Sequence, residues 1–216
     1  LAAEIQRQLP VDAPEAQRET TAKRQANAAV ALLRLGQTQG VWQCLSHRSD
    51  PRMRSYLIHR LSLFGMDAQA LIDRVEGEDD ISIQRALVLS LGEFAGDQLP
   101  LPKRAALVPK LQAFYCTAPD PGLHAAAEWL LRTWDQGDWI ERTNAALAKE
   151  NARPSPQWYF NSQGQTMIVL ARPGEFVMGS PADEVERRGG ARGPRGNRAR
   201  RPRRGCSTLH ADARAL

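Results

Sequence analysis

"DPRMRSYLIHRLSLFG", residues 50–65, is the stretch that decides the fold, because it comes back. "DISIQRALVLSLGEFA" occupies 80–95 and "DPGLHAAAEWLLRTWD" occupies 120–135. Each copy opens on an aspartate, Asp50, Asp80 or Asp120, whose carboxylate can accept hydrogen bonds from the free amides of a first helical turn. Two copies place proline next, where a missing N–H costs nothing. Each then carries apolar residues at spacings of three and four: Met53, Leu57 and Leu61; Ile83, Leu87 and Leu91; Leu123, Ala127 and Leu130. That period puts them on one face of a helix.

The segments between the copies read as second helices, at Val41–Leu45, Ala68–Val75 and Arg104–Tyr115. Before the first copy, "RQANAAVALLRLGQ" (24–37) is rich in strong helix formers. Its predicted buried stripe is Ala28, Ala31, Leu32 and Leu35, closed by Gly36 in the left-handed conformation that ends helices. A repeat of 30–40 residues built from helix pairs predicts an α-solenoid of the HEAT or armadillo kind. The competing expectation is an irregular helical bundle. One helix pair cannot bury its own apolar face, so stacking supplies the core. The fold class is therefore mainly α: a HEAT-like helical-repeat solenoid, then a few short β-strands and a disordered tail.

Several residue types invite a chemical reading. His124, Glu128 and Asp135 lie together in the third copy, near Trp129 and Trp134. His124 and Glu128 are four apart with no second histidine, so the HExxH metal-protease pattern is absent. The expectation is core or inter-repeat packing for Trp129 and Trp134, and no ligand role for His124. His47 and His59 have no sequence partners. The acidic run Glu76 to Asp80 reads as a solvated loop, since it lacks the alternating oxygen ligands of a calcium loop. Cys44 and Cys116 sit in apolar helical surroundings, as small buried hydrophobes, and no CxxC pair is present. No catalytic, cofactor-binding or metal-ligating residue is assigned, and no cofactor is expected.

Charge is unevenly spread. The chain carries +5 overall, but residues 187–216 hold ten arginines against the single acid Asp212, which leaves 1–186 at −4. A nucleic-acid reading of the whole chain from its basic pI would therefore be wrong. No apolar stretch is long enough for a membrane span. The chain begins on Leu1 and reads as a piece of something longer or as a start at an unusual codon.

"NARPSPQ" (151–157) breaks the helical pattern with two prolines. Beyond it come an aromatic start, "WYF", a turn at 161–164, a β-rich run at 166–170 and a third short strand, "EFVMG". The resulting organisation is a partial helical lead-in over 1–22, repeats over 23–150, a linker over 151–157, a β-containing start over 158–186 and a tail over 187–216. Two strands alone cannot satisfy their edges. They should be poorly ordered or lie against the last helices, and removing everything beyond Asn151 should leave the thermal melt nearly unchanged.

"WYFNSQGQTMIVLARPGEFVMGSP" (158–181) resembles the amino-terminal edge of the formylglycine-generating enzyme, or sulfatase-modifying factor, family. The match falls on a G-x-F-x-M-G-S strand: Gly174, Phe176, Met178, Gly179 and Ser180. The helical region before it looks like the segment preceding that domain in large bacterial proteins that often carry a serine/threonine kinase domain and a membrane segment upstream. The resemblance covers about residues 20–186. It implies a C-type-lectin-like domain, and, in its true oxidases, a copper-binding cysteine pair late in the domain. That part is not here. Cys206 is one cysteine outside the pattern, and Gly179 and Ser180 carry over only as turn formers.

The tail, "RRGGARGPRGNRARRPRRGCSTLHADARAL", has no lysine and no aromatic residue. It reads as the product of a shifted reading frame, as a disordered basic arm, or as an RNA-binding segment that lacks the aromatics to stack on bases. The functional expectation is a helical scaffold for protein interaction or domain spacing, joined to an incomplete, non-catalytic domain. A formylglycine-generating oxidase by parentage and RNA binding through the tail are the alternatives. Nucleic acid is not the expected partner; a protein is.

Overall fold

The computed structural model describes residues 1–149, 155 and 157–169. The expectations for the motif at Gly174, Phe176, Met178, Gly179 and Ser180, and for the tail, lie outside the described residues. Within them the protein is mainly helical. Helix α1 is Ala2–Ile5, α2 is Glu15–Arg34, a 3₁₀ turn covers Trp42–Leu45, and α3 is Arg52–Leu63. Then come α4 (Ala68–Glu76), α5 (Ile81–Leu91), α6 (Leu101–Thr117), α7 (Pro121–Thr133) and α8 (Gly137–Lys149). Strands β1 (Trp158–Phe160) and β2 (Thr166–Ile168) follow.

The recurring stretches are the helices that pack on one another. α2 packs on α3, α3 on α5, α5 on α7 and α7 on α8. The 3₁₀ turn packs on α3 and α5, α4 on α5, and α6 on α7. α5 is consequently enclosed on several sides, and its consecutive residues Ala86, Leu87 and Val88 are all fully buried. The stripes read from sequence in α3, α5 and α7 are buried as expected. Each fully buried leucine contributes roughly 1.5–3 kcal/mol.

Helix starts agree with the reading at two copies. Asp80 accepts from the amides of Ser82 (2.8 Å) and Ile83 (3.1 Å), and Asp120 from that of Leu123 (2.7 Å). Asp50 differs. The cap position of α3 is Pro51, and Asp50 accepts only from the Arg52 amide (3.0 Å) while its other oxygen pairs with the Arg52 guanidinium. Asp67 caps α4 through the Gln69 amide.

Helix ends recur too. After α2, Gly36 takes φ +74° while Gln37 N–H donates to Leu32 and Gly36 N–H to Leu33. The same paired bonds close α3 at Gly65 (φ +69°) and α7 at Asp135 (φ +59°). This is the glycine-terminated pattern that satisfies the last carbonyls, and α7 makes it with an aspartate.

α2 is where the predicted stripe needs correction. Ala28 and Leu32 are buried, but Ala31 is only half-buried and Leu35 is 66 % exposed. The buried set also takes in Ala22, Ala26, Ala29, Val30 and Leu33. The helix is covered on one side by α3 and on another by α1, so its middle is enclosed instead of presenting one face. Leu35 lies in the closing turn, past the last helical residue. The helix also starts earlier than expected, at Glu15.

The two strands are ordered against helices. They pair antiparallel, with Trp158 opposite Ile168 and Phe160 opposite Thr166. The turn is held by Asn161 Oδ1, which accepts from the amides of Gln163 (3.0 Å) and Gln165 (2.9 Å), with Gly164 at φ +75°. An isolated hairpin is marginal in water. This one has Trp158 and Phe160 fully buried in the same core as the helices. Trp158 Nε1–H donates to the Ala118 carbonyl at the end of α6 (2.7 Å), and Ser155 Oγ–H to Pro119 (2.8 Å). The change of sequence period near 151–157 marks a change of local structure. It does not mark the edge of the packed core.

Candidate functional site

The third repeat gathers the most chemistry in sequence, and the structure makes it a packing centre. The His124 ring is stacked between Tyr115 (centroids 4.5 Å apart) and Trp158 (4.0 Å). His124 Nδ1–H donates to the Tyr115 carbonyl (2.6 Å), which leaves Nε2 to accept from Thr166 Oγ–H (3.3 Å). Both ring nitrogens are occupied. Burial pushes its pKa down, opposed by the Tyr115 carbonyl bond and by Glu128. Burial also raises the Tyr115 phenol, which bonds Asn144 Oδ1, so the ring stays a neutral phenol. Glu128 pairs with Arg132 (2.9 Å), and Asp135 serves the closing turn of α7. The three residues that stood together in sequence are not brought into one site. Among the described residues no group of three or more His, Cys, Asp or Glu side chains could hold a metal ion.

The acidic run is only partly the solvated loop it reads as. Glu78 is buried: Oε1 accepts from the amides of Asp79 (3.0 Å) and Asp80 (2.9 Å), and Oε2 pairs with Arg74. It folds the α4–α5 connection onto itself, a role that spacing alone does not reveal. Cys44 is buried, and burial raises its thiol pKa; Cys116 is half-buried and shifted the same way. His59 Nδ1 contacts Glu93 (2.9 Å), linking α3 to the turn after α5.

Two surfaces remain as binding candidates. One is the lateral face where α3, α5 and α7 lie side by side. Ser55 and His59 are exposed on α3, and Ala125 and Trp129 on α7. Trp129 is 41 % exposed and lies over Gly92, where an alanine Cβ would fall 2.2 Å from its ring. At the other end of the same row the Arg85 guanidinium lies over Gly122 in the same way, 3.6 Å from Asp120. Trp129 was expected to pack in the core or between repeats; it packs between two of the recurring stretches, reaching from α7 over Gly92 at the end of α5, and stays partly exposed.

The other is a groove of about 1330 Å³ between the extended segment after α1, α2, the 36–41 loop and residues 48–50. Its floor includes Leu32, Val41, Cys44 and Met53. Nothing in the repeat pattern points to it, because more than half of its lining comes from the connections over 6–11, 36–41 and 48–50, which the pattern does not describe.

Comparison with known proteins gives no match: no family model, no curated protein and no solved structure is similar to this chain.

Proposed function

We propose that the helix stack is a HEAT-like solenoid acting as a non-catalytic scaffold that holds a protein partner along the α3–α5–α7 face. In the longer protein suggested by the resemblance of 158–181, it would space a sulfatase-modifying-factor-like domain from what precedes it. The observation that carries this reading is the agreement between the repeat in sequence and the order of packing. The stretches that share an apolar stripe are those that lie against one another, α3 on α5 and α5 on α7, which is how solenoids make extended binding surfaces. Trp129 supports the choice of face, since a large, half-open aromatic is the residue type over-represented among interface anchors.

A photo-crosslinking residue at Ala125 tests it in cells of the source. It captures one discrete protein, and Trp129→Ala abolishes that capture. The same residue at the exposed Ala113 of α6 captures nothing comparable. Equal capture at both positions, or capture indifferent to Trp129, removes the assignment of the face. The oxidase alternative is tested separately, by supplying copper(I), oxygen and a cysteine-containing peptide. Scaffold function predicts no peptide oxidation above the copper blank, and turnover would overturn it.

A further inference from the structure

We propose that the groove beside the amino-terminal segment binds an extended peptide carrying acidic side chains on both sides of an apolar one. This site is separate from the α3–α5–α7 face and stands or falls independently of it. The argument begins with charge. Arg7, Arg18 and Arg48 all line the groove, and none has a carboxylate partner among the described residues. Arg18 is turned to the carbonyls of Val11 and Ala13, and Arg48 reaches the Gln43 carbonyl (3.3 Å). Among the described residues the only acid lining the groove, Asp50, is already held 2.7 Å from the Arg52 guanidinium. Three cations thus face a single neutralised anion, in a part of the chain that is acidic overall.

The walls come next. Residues 8–12 and 38–40 lie outside helices, and the amides of Gln8, Leu9, Thr38, Gln39 and Gly40 donate to no protein acceptor among the described residues. Gln8, Gln37 and Gln39 add side-chain amides along the same walls. Unused backbone groups flanking a groove suit an extended peptide, whose own backbone can pair with them. The floor of Leu32, Val41 and Met53 offers a place for one apolar side chain between the charged ones.

Competing ligands fit less well. An alkyl chain laid in the groove would cover these amides without bonding them, and a desolvated unpaired amide is costly. A nucleic acid strand would meet the arginines, but among the described residues no aromatic lines the groove to stack a base.

The test uses the whole chain and a fluorescein-labelled nonapeptide with a central leucine, two glutamates on each side and glycine elsewhere. Anisotropy should show saturable binding that weakens as salt rises. The double substitution Arg7→Glu with Arg48→Glu should weaken it roughly tenfold, because rim charges each contribute modestly. Replacing the central leucine by glycine should weaken it by a similar factor. Arg7→Gln with Arg48→Gln gives the same direction at smaller size, and circular dichroism of both variants confirms the fold. The proposal is overturned by absent binding, by equal binding of the lysine counterpart, or by indifference to both double variants. It is equally overturned if laurate or a ten-nucleotide oligouridine binds the groove more tightly than the peptide.

Discussion

Replacing Trp158 by alanine should destabilise the whole helical body, although the residue lies beyond the last helix. Its side chain is fully buried, stacks on His124 at 4.0 Å and meets Phe160 edge-on at 5.7 Å. Its Nε1–H is the donor to the Ala118 carbonyl where α6 ends. Truncating a buried tryptophan to alanine costs about 3–5 kcal/mol, combining lost transfer energy with the cavity left behind. For a domain of this size each kcal/mol moves the melting temperature by about 2–4 °C, so the shift should be about 6–20 °C. The assay is thermal melting followed by far-UV circular dichroism at 222 nm, which reads the helices and not the hairpin. A chain ending at Lys149 should lose at least as much, since Phe160 goes too. Met167→Ser, on the outer face of the hairpin, is the control and should stay within about 0.5 kcal/mol. An unchanged helical melt for Trp158→Ala and for the shortened chain would refute the reasoning. It would mean that the helix stack is complete without the strands, as the sequence pattern alone suggests.

Other expectations follow from single residues. Because burial lowers the His124 pKa, the unfolded chain binds more protons than the folded one below about pH 6.5. Stability should therefore be flat above that pH and fall as pH drops through it; His124→Gln should flatten the dependence measured by urea denaturation from pH 7.5 to 5. Asp135→Gly should raise stability by about 0.5–1 kcal/mol, since glycine enters φ +59° without the penalty an L-residue carries; a lower denaturation midpoint would contradict this. Asp80→Ala should cost about 1 kcal/mol by removing a cap that accepts two amides, whereas Asp50→Ala, bonded only to Arg52, should cost half that or less in the same denaturation series.

Much of the helical body was legible because its determinants are local. The aspartate caps at 80 and 120 and the three-four spacing in α3, α5 and α7 depend on residues within one or two turns. So does the Gly36 ending. The turn at 161–164 and a β-rich run at 166–170, of which Thr166–Ile168 forms the strand, were readable on the same grounds. Legibility failed where more than one neighbour acts on an element. α2 is enclosed from two sides, so a single stripe misdescribes it, and Leu35 is left outside. Glu78 is buried by amides one and two residues ahead of it, a fold-back that a charge count reads as solvation. The groove was invisible for the same reason: its floor and rim come from segments up to about fifty residues apart.

The order of helices, their caps and their apolar faces are properties of the chain read a few residues at a time, because a cap or a stripe needs only its own turn to exist. Which of those faces are closed, and by what, was decided in three dimensions. Trp158 and Phe160 become part of the helical core only because the place where α6 ends and α7 begins leaves a surface around Tyr115 and His124 for them to cover. Burying two aromatics there outweighs the weakness of a hairpin that could not stand alone.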